Sequence, residues 1–229
     1  MLWASMRLAL AVTVSFFGVG DALSQPLSGD ADLKFFAVHI NRTPQQPWPG
    51  YGVYLGNGFV ITAAHVPGIF AMAKPHVLIA AQDLPASLVR EGSLETVDLT
   101  LMSVDATKLP VRFRMRRMPL CEQASYPGEP VVVVTPEGTA RSHVLSPRAV
   151  SPELRGRFAT VIGDVATTGN SGSGVFDVWK QCLLGIISRK ISITRRGVLP
   201  GEKSETQDIA KYFVPASDIR AFLPKDLEY

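Results

Sequence analysis

Short runs of residues with high β-propensity follow one another along most of the chain, separated by Gly, Pro and polar residues. The runs are rich in Val, Ile, Phe and Thr, and they occupy residues 35–40, 51–56, 58–64, 76–80, 97–104, 131–135, 158–162, 174–178, 182–188 and 191–194. Strands at this density, with few helical patterns between them, predict an all-β sandwich or barrel. After Pro215, ASDIRAFL has apolar residues at helical spacing, so one C-terminal helix is expected, with Ser217 as its cap.

The N-terminus has the organisation of an export signal. One positive charge in MLWASMR precedes the apolar run LALAVTVSFFGV, and small residues follow in DALSQP. An apolar run of 12 residues is shorter than the roughly 20 that a membrane-spanning helix needs, but it suits a secretory signal. We expect a signal peptide over residues 1–24, cut after Ser24. The mature protein should then be secreted or periplasmic, without a stable membrane anchor.

Charge gives little indication of a nucleic-acid partner. The chain carries 23 basic and 20 acidic residues, a net charge of +3, which is too small to suggest nucleic-acid binding. The one dense basic cluster comprises Arg112, Arg114, Arg116 and Arg117, and its composition favours a solvated connector over a phosphate-binding site. It lies in the stretch 105–120, which is charged, has prolines near both ends and divides the mature chain into roughly equal halves. Two β domains joined there would meet in a cleft, where ligands commonly bind.

The two cysteines are the next constraint. In an oxidising compartment Cys121 and Cys182 can pair, and export favours this disulfide over two buried thiols. Two cysteines and scattered histidines provide no metal-ligand spacing, so no zinc site, other metal or cofactor is expected.

The stretch TTGNSGSGVFD over residues 167–177 is either a polar connector or a turn that presents a nucleophile. The strand-like runs that follow it at once favour the turn, and the nucleophile would be Ser171 or Ser173. Gly169 and Gly172 allow backbone angles that other residues avoid. Such a turn can direct the amides of Gly169 and Ser171 at one point, as an oxyanion hole.

A serine nucleophile needs a base and a group that orients the base. The bases available are His39, His65, His76 and His143, of which His65 ends the strand-like GFVITAAHV; a half-buried structural histidine is the alternative there. Asp98 lies in the apolar ETVDLTLMSV, where a carboxylate is costly unless it is paired. It could instead be an edge-strand residue facing solvent. Two further aspartates, Asp83 and Asp105, lie in polar surroundings and are weaker candidates.

VITAAHV, VDLTLM and GNSGSGV, in that order, resemble the His, Asp and Ser motifs of the chymotrypsin-like (trypsin-fold) serine proteases. The similarity is greatest to the bacterial branch that includes glutamyl endopeptidases and HtrA-type protease domains. It extends from about Phe35 to the C-terminal helix. The resemblance implies two six-stranded antiparallel β-barrels with a C-terminal helix, over residues 25–112 and 113–229. The first would carry His65 and Asp98, and the second Ser171.

The resemblance also implies a role for each site residue. Ser171 would attack the substrate carbonyl, His65 would be the general base and acid, and Asp98 would orient the imidazole. The amides of Gly169 and Ser171 would bind the oxyanion. Asn170 stands where trypsin-type zymogens have an aspartate that captures a new N-terminal ammonium. We therefore expect activity that does not depend on such a cleavage.

The resemblance places Val165, Ser188 and Lys190 at the substrate pocket. Val165 provides no charge for a Lys or Arg side chain, so trypsin-like cleavage is not expected. Lys190, in place of a glycine, would obstruct the pocket, attract an acidic residue or point outward. Ile187 stands where glutamyl endopeptidases have a pocket histidine, so glutamate specificity is not indicated either.

The prediction is an exported serine endopeptidase that hydrolyses protein or peptide substrates through a Ser-His-Asp triad and an acyl-enzyme. The alternative is a catalytically silent protein of the same fold that binds peptides or a partner protein. The Ser-Arg-Lys sequence at residues 188–190 keeps that alternative open.

Overall fold

The computed structural model describes residues 28–40, 50–68, 74–156, 158–163, 171–195 and 205–227. These residues form two antiparallel sheets, one of seven strands and one of six, and each sheet curls toward a barrel. The all-β prediction is confirmed, with seven strands instead of six in the first sheet.

The first sheet is built around a fully buried central strand. Its strands are β1 Ala37–Ile40, β2 Gly50–Gly56, β3 Phe59–Thr62, β4 His76–Ile79, β5 Gln82–Pro85, β6 Ser87–Glu91 and β7 Thr100–Ser103, in the order β5-β4-β1-β2-β3-β7-β6. Every residue of β2 is buried, as its apolar and small residues lead one to expect. β3 and β7 are antiparallel neighbours, with Thr62 opposite Thr100. The residues that follow β3 and those that precede β7 therefore lie at the same end of the sheet.

The second sheet contains β8 Pro130–Val134, β9 Thr139–His143, β10 Val161–Gly163, β11 Gly174–Asp177, β12 Leu183–Arg195 and β13 Glu205–Pro215. Its order is β10-β13-β12-β11-β8-β9. A bridge between Val144 and Ile162 brings the two edges together. β11 and β12 form an antiparallel hairpin, and the residues that lead into β11 are Ser171 to Ser173.

Four short helices accompany the sheets in the described part of the chain: α1 Ser28–Lys34, α2 Val111–Met115, α3 Pro152–Arg155 and α4 Ala216–Phe222. α4 is the expected C-terminal helix, but the prediction of Ser217 as its cap is wrong. The cap residue is Pro215, and the Ser217 hydroxyl donates to the neighbouring Asp218 carboxylate at 3.2 Å. Pro215 ends β13 in an extended conformation, with ψ 161°, and leads directly into the first helical turn.

The largest group of buried apolar side chains draws on both sheets, including Val53 and Leu101 from the first and Phe176 and Val214 from the second. The sheets therefore share a core. The stretch 105–120 is packed against the first sheet and is not an open linker. It holds a 3-10 turn over Ala106–Lys108 followed by α2, and the Met118 amide donates to a carbonyl of β2 at 2.9 Å.

The expected disulfide between Cys121 and Cys182 is present, with a Cα–Cα distance of 5.0 Å. It joins the segment after α2 to the start of the second strand of the β11–β12 hairpin. Within the described ranges, no helix is both long enough and apolar enough to span a bilayer.

Candidate active site

His65 and Asp98 come together because their strands are antiparallel neighbours. His65 lies three residues beyond the end of β3, and Asp98 lies two residues before the start of β7. The imidazole Nδ1 is 3.1 Å from Asp98 Oδ2 and 3.2 Å from Oδ1. The side chain of Asp98 is buried, whereas that of His65 is partly exposed. A buried carboxylate thus faces one nitrogen of an imidazole that solvent can still reach.

The carboxylate of Asp98 has a second donor. Ser188, which is 0% exposed, donates its hydroxyl to Asp98 Oδ2 at 2.5 Å. Burial alone raises the pKa of Asp98, but the hydrogen bonds from His65 and Ser188 and the charge of His65 outweigh burial, so the pKa lies below its ordinary value. Asp98 is therefore ionised at neutral pH, and the buried charge is satisfied by hydrogen bonds.

Ser171 begins a turn that the backbone of two strands, β2 and β12, holds in place. Its carbonyl accepts the Tyr51 amide of β2 at 3.2 Å, and the next amide, of Gly172, donates to the Ile187 carbonyl of β12 at 2.8 Å. The Tyr51 carbonyl in turn accepts the hydroxyl of Thr62, the last residue of β3, at 2.5 Å. One residue of β2, Tyr51, thus connects the Ser171 turn to the strand that leads to His65.

Gly172 is required by the close packing of this turn. Its φ is +90°, in the region that side chains disfavour. A Cβ at this position would lie 1.8 Å from the Tyr51 carbonyl oxygen and 2.5 Å from the Thr62 hydroxyl oxygen. Only glycine fits there, and this explains the second glycine of GNSGS.

Ser171 and Ser173 differ in accessibility. Ser173 is 0% exposed and its carbonyl accepts the Ile187 amide at 2.9 Å, so it belongs to the interior of the hairpin. Ser171 is partly exposed, and its hydroxyl donates to the Ser188 carbonyl at 3.1 Å. Of the two serines, Ser171 is the one that a substrate could reach.

Ser188, which the resemblance places at the substrate pocket, has its side chain directed at the candidate triad. Its hydroxyl is directed at Asp98 and is inaccessible to a substrate, while its carbonyl contacts the Ser171 hydroxyl. Sequence reasoning missed this contact with the carboxylate. The sequence did indicate that a buried aspartate needs more than one hydrogen-bond donor. Only the fold shows that the second donor comes from β12.

Lys190 directs its ammonium along the second sheet. Nζ is 2.7 Å from an Asp208 carboxylate oxygen, and Ser192 donates to the other oxygen at 2.6 Å. These donors hold the pKa of Asp208 below its ordinary value. Val165 and Gly169, with Asn170, lie outside the described residues, so the predicted pocket floor and the first oxyanion amide remain predictions.

The other candidates have partners that are far more exposed. His39 lies 3.2 Å from Glu137, and His76 lies 3.3 Å from Asp83; both carboxylates are about half exposed. Asp105 accepts from the Thr107 amide at the start of a 3-10 turn. In the described residues, no group of three or more His, Cys, Asp or Glu side chains could hold a metal ion.

Comparison with known proteins identifies solved structures that share this fold. No family model matches the sequence, and no curated protein matches it. Three solved structures illustrate the structural similarity. The Rv3671c protease of M. tuberculosis in its inactive form has a TM-score of 0.58 at 16% identity, over 85% of this chain and 90% of that one.

A serine endoprotease from Yersinia pestis has a TM-score of 0.56 at 18% identity, over 84% of this chain and 63% of that one. The MamO protease domain from Magnetospirillum magneticum has a TM-score of 0.53 at 19% identity, over 84% of this chain and 98% of that one. The TM-scores establish a shared fold, and identities this low support no conclusion beyond the fold. The chain therefore has the fold of the chymotrypsin-like serine proteases.

Proposed function

We propose that this protein is a serine endopeptidase in which Ser171 is the nucleophile, His65 the general base and Asp98 the orienting carboxylate. The observation that carries the proposal is the buried Asp98 within 3.2 Å of His65 Nδ1, at the end of the first sheet that the Ser171 turn contacts. Burial of a carboxylate in this way costs free energy. Its presence here is explained if the carboxylate orients the His65 imidazole for catalysis.

The chemistry follows from which nitrogen carries the proton. Asp98 accepts from Nδ1–H of His65, so the lone pair that takes the hydroxyl proton of Ser171 is the one on Nε2. The Ser171 oxygen then attacks the substrate carbonyl and forms a C–O bond, and the carbonyl π electrons move to the oxyanion. The amides of Gly169 and Ser171 would stabilise that oxyanion.

Breakdown of the tetrahedral intermediate completes the cycle. His65 gives its proton to the leaving amine, the C–N bond breaks and an acyl-enzyme remains. Water, activated by the same imidazole, then releases the acid and restores the Ser171 hydroxyl. While His65 is protonated, the ionised Asp98 beside it stabilises the imidazolium.

One rotation must precede attack. In the structure the Ser171 hydroxyl donates to the Ser188 carbonyl, whereas catalysis requires that it donate to Nε2 of His65. Rotation about the Cα–Cβ bond of a partly exposed serine is a small and rapid motion. We infer that substrate binding favours the catalytic rotamer.

Export is part of the proposal. The disulfide is the kind of cross-link that persists in oxidising compartments, and it agrees with the apolar N-terminal run and a cut after Ser24. The substrates are then proteins or peptides outside the cytoplasm.

A specific observation favours the second candidate function, a silent peptide-binding protein of the same fold. If the Ser171 hydroxyl stayed bonded to the Ser188 carbonyl, the protein could hold a peptide without cleaving it. The arginine and lysine at 189–190 would then be part of a binding surface.

Labelling with a fluorophosphonate probe separates the two functions. The wild type should label, Ser173→Ala should label after a check of its fold, and Ser171→Ala should not. Triad variants should lose about four to six orders of magnitude in turnover of a peptide substrate. A folded wild type that never labels would support the silent protein, and labelling that survives in Ser171→Ala would refute the assignment of the nucleophile.

A further inference from the structure

Helix α2, Val111–Met115, is anchored to the first sheet chiefly by Phe113, its one buried residue. Phe113 is buried and its ring stacks on Phe35 with a centroid distance of 3.8 Å, while its carbonyl accepts the Tyr54 hydroxyl at 3.0 Å. The opposite face of the helix is directed outward. Val111 is 61% exposed and Met115 76% exposed, and their spacing of four residues places them side by side.

Four exposed arginines lie within two residues of this apolar pair in the sequence, and contacts with the fold hold three of their side chains. Arg112 and Arg116 lie over the Phe35 ring, at 5.9 and 4.4 Å from its centroid. Arg117 donates to Asn57 and to the Arg114 carbonyl. We call the surface formed by Val111, Arg112, Arg114, Met115, Arg116 and Arg117 the arginine surface.

Its positive charge is largely uncompensated. Among the ion pairs of the described residues, one involves the arginine surface, between Arg116 and Asp32 at 3.2 Å. Residues 105–117 contain five cations and one carboxylate, a charge of +4 (5 minus 1), whereas the whole chain has +3 (23 minus 20), so the rest of the chain has −1. The arginine surface is therefore a concentrated patch of positive charge on a chain of small net charge.

The composition of the surface selects one kind of occupant. Two exposed apolar side chains on the same short segment as four exposed arginines suit the boundary between headgroups and acyl chains, where arginine stems bury and their charged ends reach phosphate. A single-stranded nucleic acid would require exposed rings for stacking, but Phe35 and Phe113 are stacked on each other.

Before the expected cut after Ser24, the path of the chain would bring a membrane to the same side. Asp32 of α1 contacts Arg116, so the described chain begins beside the arginine surface. Eight residues, 20–27, separate α1 from the apolar run of residues 8–19, and they can span at most about 28 Å. While that run occupies a bilayer, the arginine surface is close to its headgroups.

We propose that the arginine surface docks on the surface of an anionic phospholipid bilayer, with Val111 and Met115 inserted among the headgroups. Docking would hold the protein at the membrane through a contact that does not depend on the N-terminal run or on the proposed peptidase activity. It revises the expectation that the arginine cluster is only a solvated connector.

Hydrogen exchange of the purified full chain tests the proposal locally, because the N-terminal run is the same in every sample. Peptides that cover residues 109–120 should gain protection with vesicles of 70:30 phosphatidylcholine and phosphatidylglycerol, but not with phosphatidylcholine alone. Arg112→Gln with Arg114→Gln should weaken this anionic-lipid-dependent binding about thirtyfold, since each arginine near an anionic surface contributes roughly a factor of five. Val111→Ser with Met115→Ser should also weaken it.

A matched control removes two exposed cations elsewhere, as Arg148→Gln with Lys225→Gln, and should change binding less than twofold. The proposal is overturned if both vesicle types protect residues 109–120 equally or not at all, or if the control is as harmful as the arginine variant. It is also overturned if a DNA duplex protects them as well as vesicles do and the serine variant keeps full binding, because the surface is then a general polyanion site.

Discussion

Replacement of Ser188 tests whether the site is organised around a buried charge. Ser188→Ala removes the hydroxyl that donates to Asp98 Oδ2, where neither side chain is open to solvent. A hydrogen bond to a charged group contributes about 1.5–3 kcal/mol, and one between neutral groups about 0.5–1.5 kcal/mol. We expect Ser188→Ala to lower the free energy of unfolding by about 2 kcal/mol at pH 7.

The size of this loss should depend on pH, because the hydroxyl stabilises the ionised form of Asp98. The folded pKa of Asp98 is lowered, so its contribution to stability is complete above the unfolded pKa, about 3.9, and is lost as pH falls through the folded pKa. Without Ser188 the folded pKa of Asp98 should rise, because one of the hydrogen bonds that lower it is lost. The difference between variant and wild type is then full at pH 7 and shrinks as pH falls below about 4.

Urea unfolding followed by circular dichroism, at pH steps from 7 to 3, measures this difference. The matched control is Ser142→Ala, which removes a hydroxyl that donates to the Gly163 carbonyl at 3.3 Å. That acceptor does not titrate, so the loss in Ser142→Ala should be independent of pH. A loss in Ser188→Ala that is equally flat across the pH range would refute the conclusion that Ser188 stabilises the Asp98 carboxylate.

Two further predictions concern the backbone and the cross-link. Gly172→Ala should cost more than about 3 kcal/mol, because it combines a left-handed φ with a clash. Gly128→Ala, with φ +87° and open space around it, should cost only the conformational part, about 1–2 kcal/mol; equal losses in urea unfolding would show that the clash is relieved. Cys121→Ala with Cys182→Ala opens a loop of 61 residues and should cost about 4 kcal/mol. Reductant should lower the unfolding midpoint of the wild type to that of the variant. If the variant unfolded at the same midpoint as the oxidised wild type, the disulfide would not contribute to stability.

The buried strands could be predicted from sequence because their composition is dictated by the core. Residues 51–56 and 131–135 lie almost entirely within β2 and β8, where nearly every side chain is buried. β6 could not be found in this way, because all five of its residues are exposed, so no buried face dictates their composition. The runs at 182–188 and 191–194 are one strand, β12, although its charged residues Arg189 and Lys190 resemble a break.

Sequence motifs and the three-dimensional fold identify different residues of the candidate site. His65, Asp98 and Ser171 are predicted from three short motifs: His65 follows a buried strand, and Asp98 and Ser171 each precede one. The contact between Ser188 and Asp98 spans 90 residues of sequence, and no local pattern contains it. Such contacts depend on how the two sheets pack together, which the local sequence does not specify.

The same contacts also explain why the site needs both sheets. Asp98 precedes a strand of the first sheet, and the hydroxyl that satisfies its charge comes from β12 of the second. The Ser171 turn leads into the second sheet, but its carbonyl accepts an amide of β2 in the first. If the sheets separated, the carboxylate would lose the Ser188 donor and the turn would lose the Tyr51 contact at once. Packing of the two sheets and assembly of the site are therefore one event, and a variant that loosens their shared core should impair the site before it unfolds either sheet.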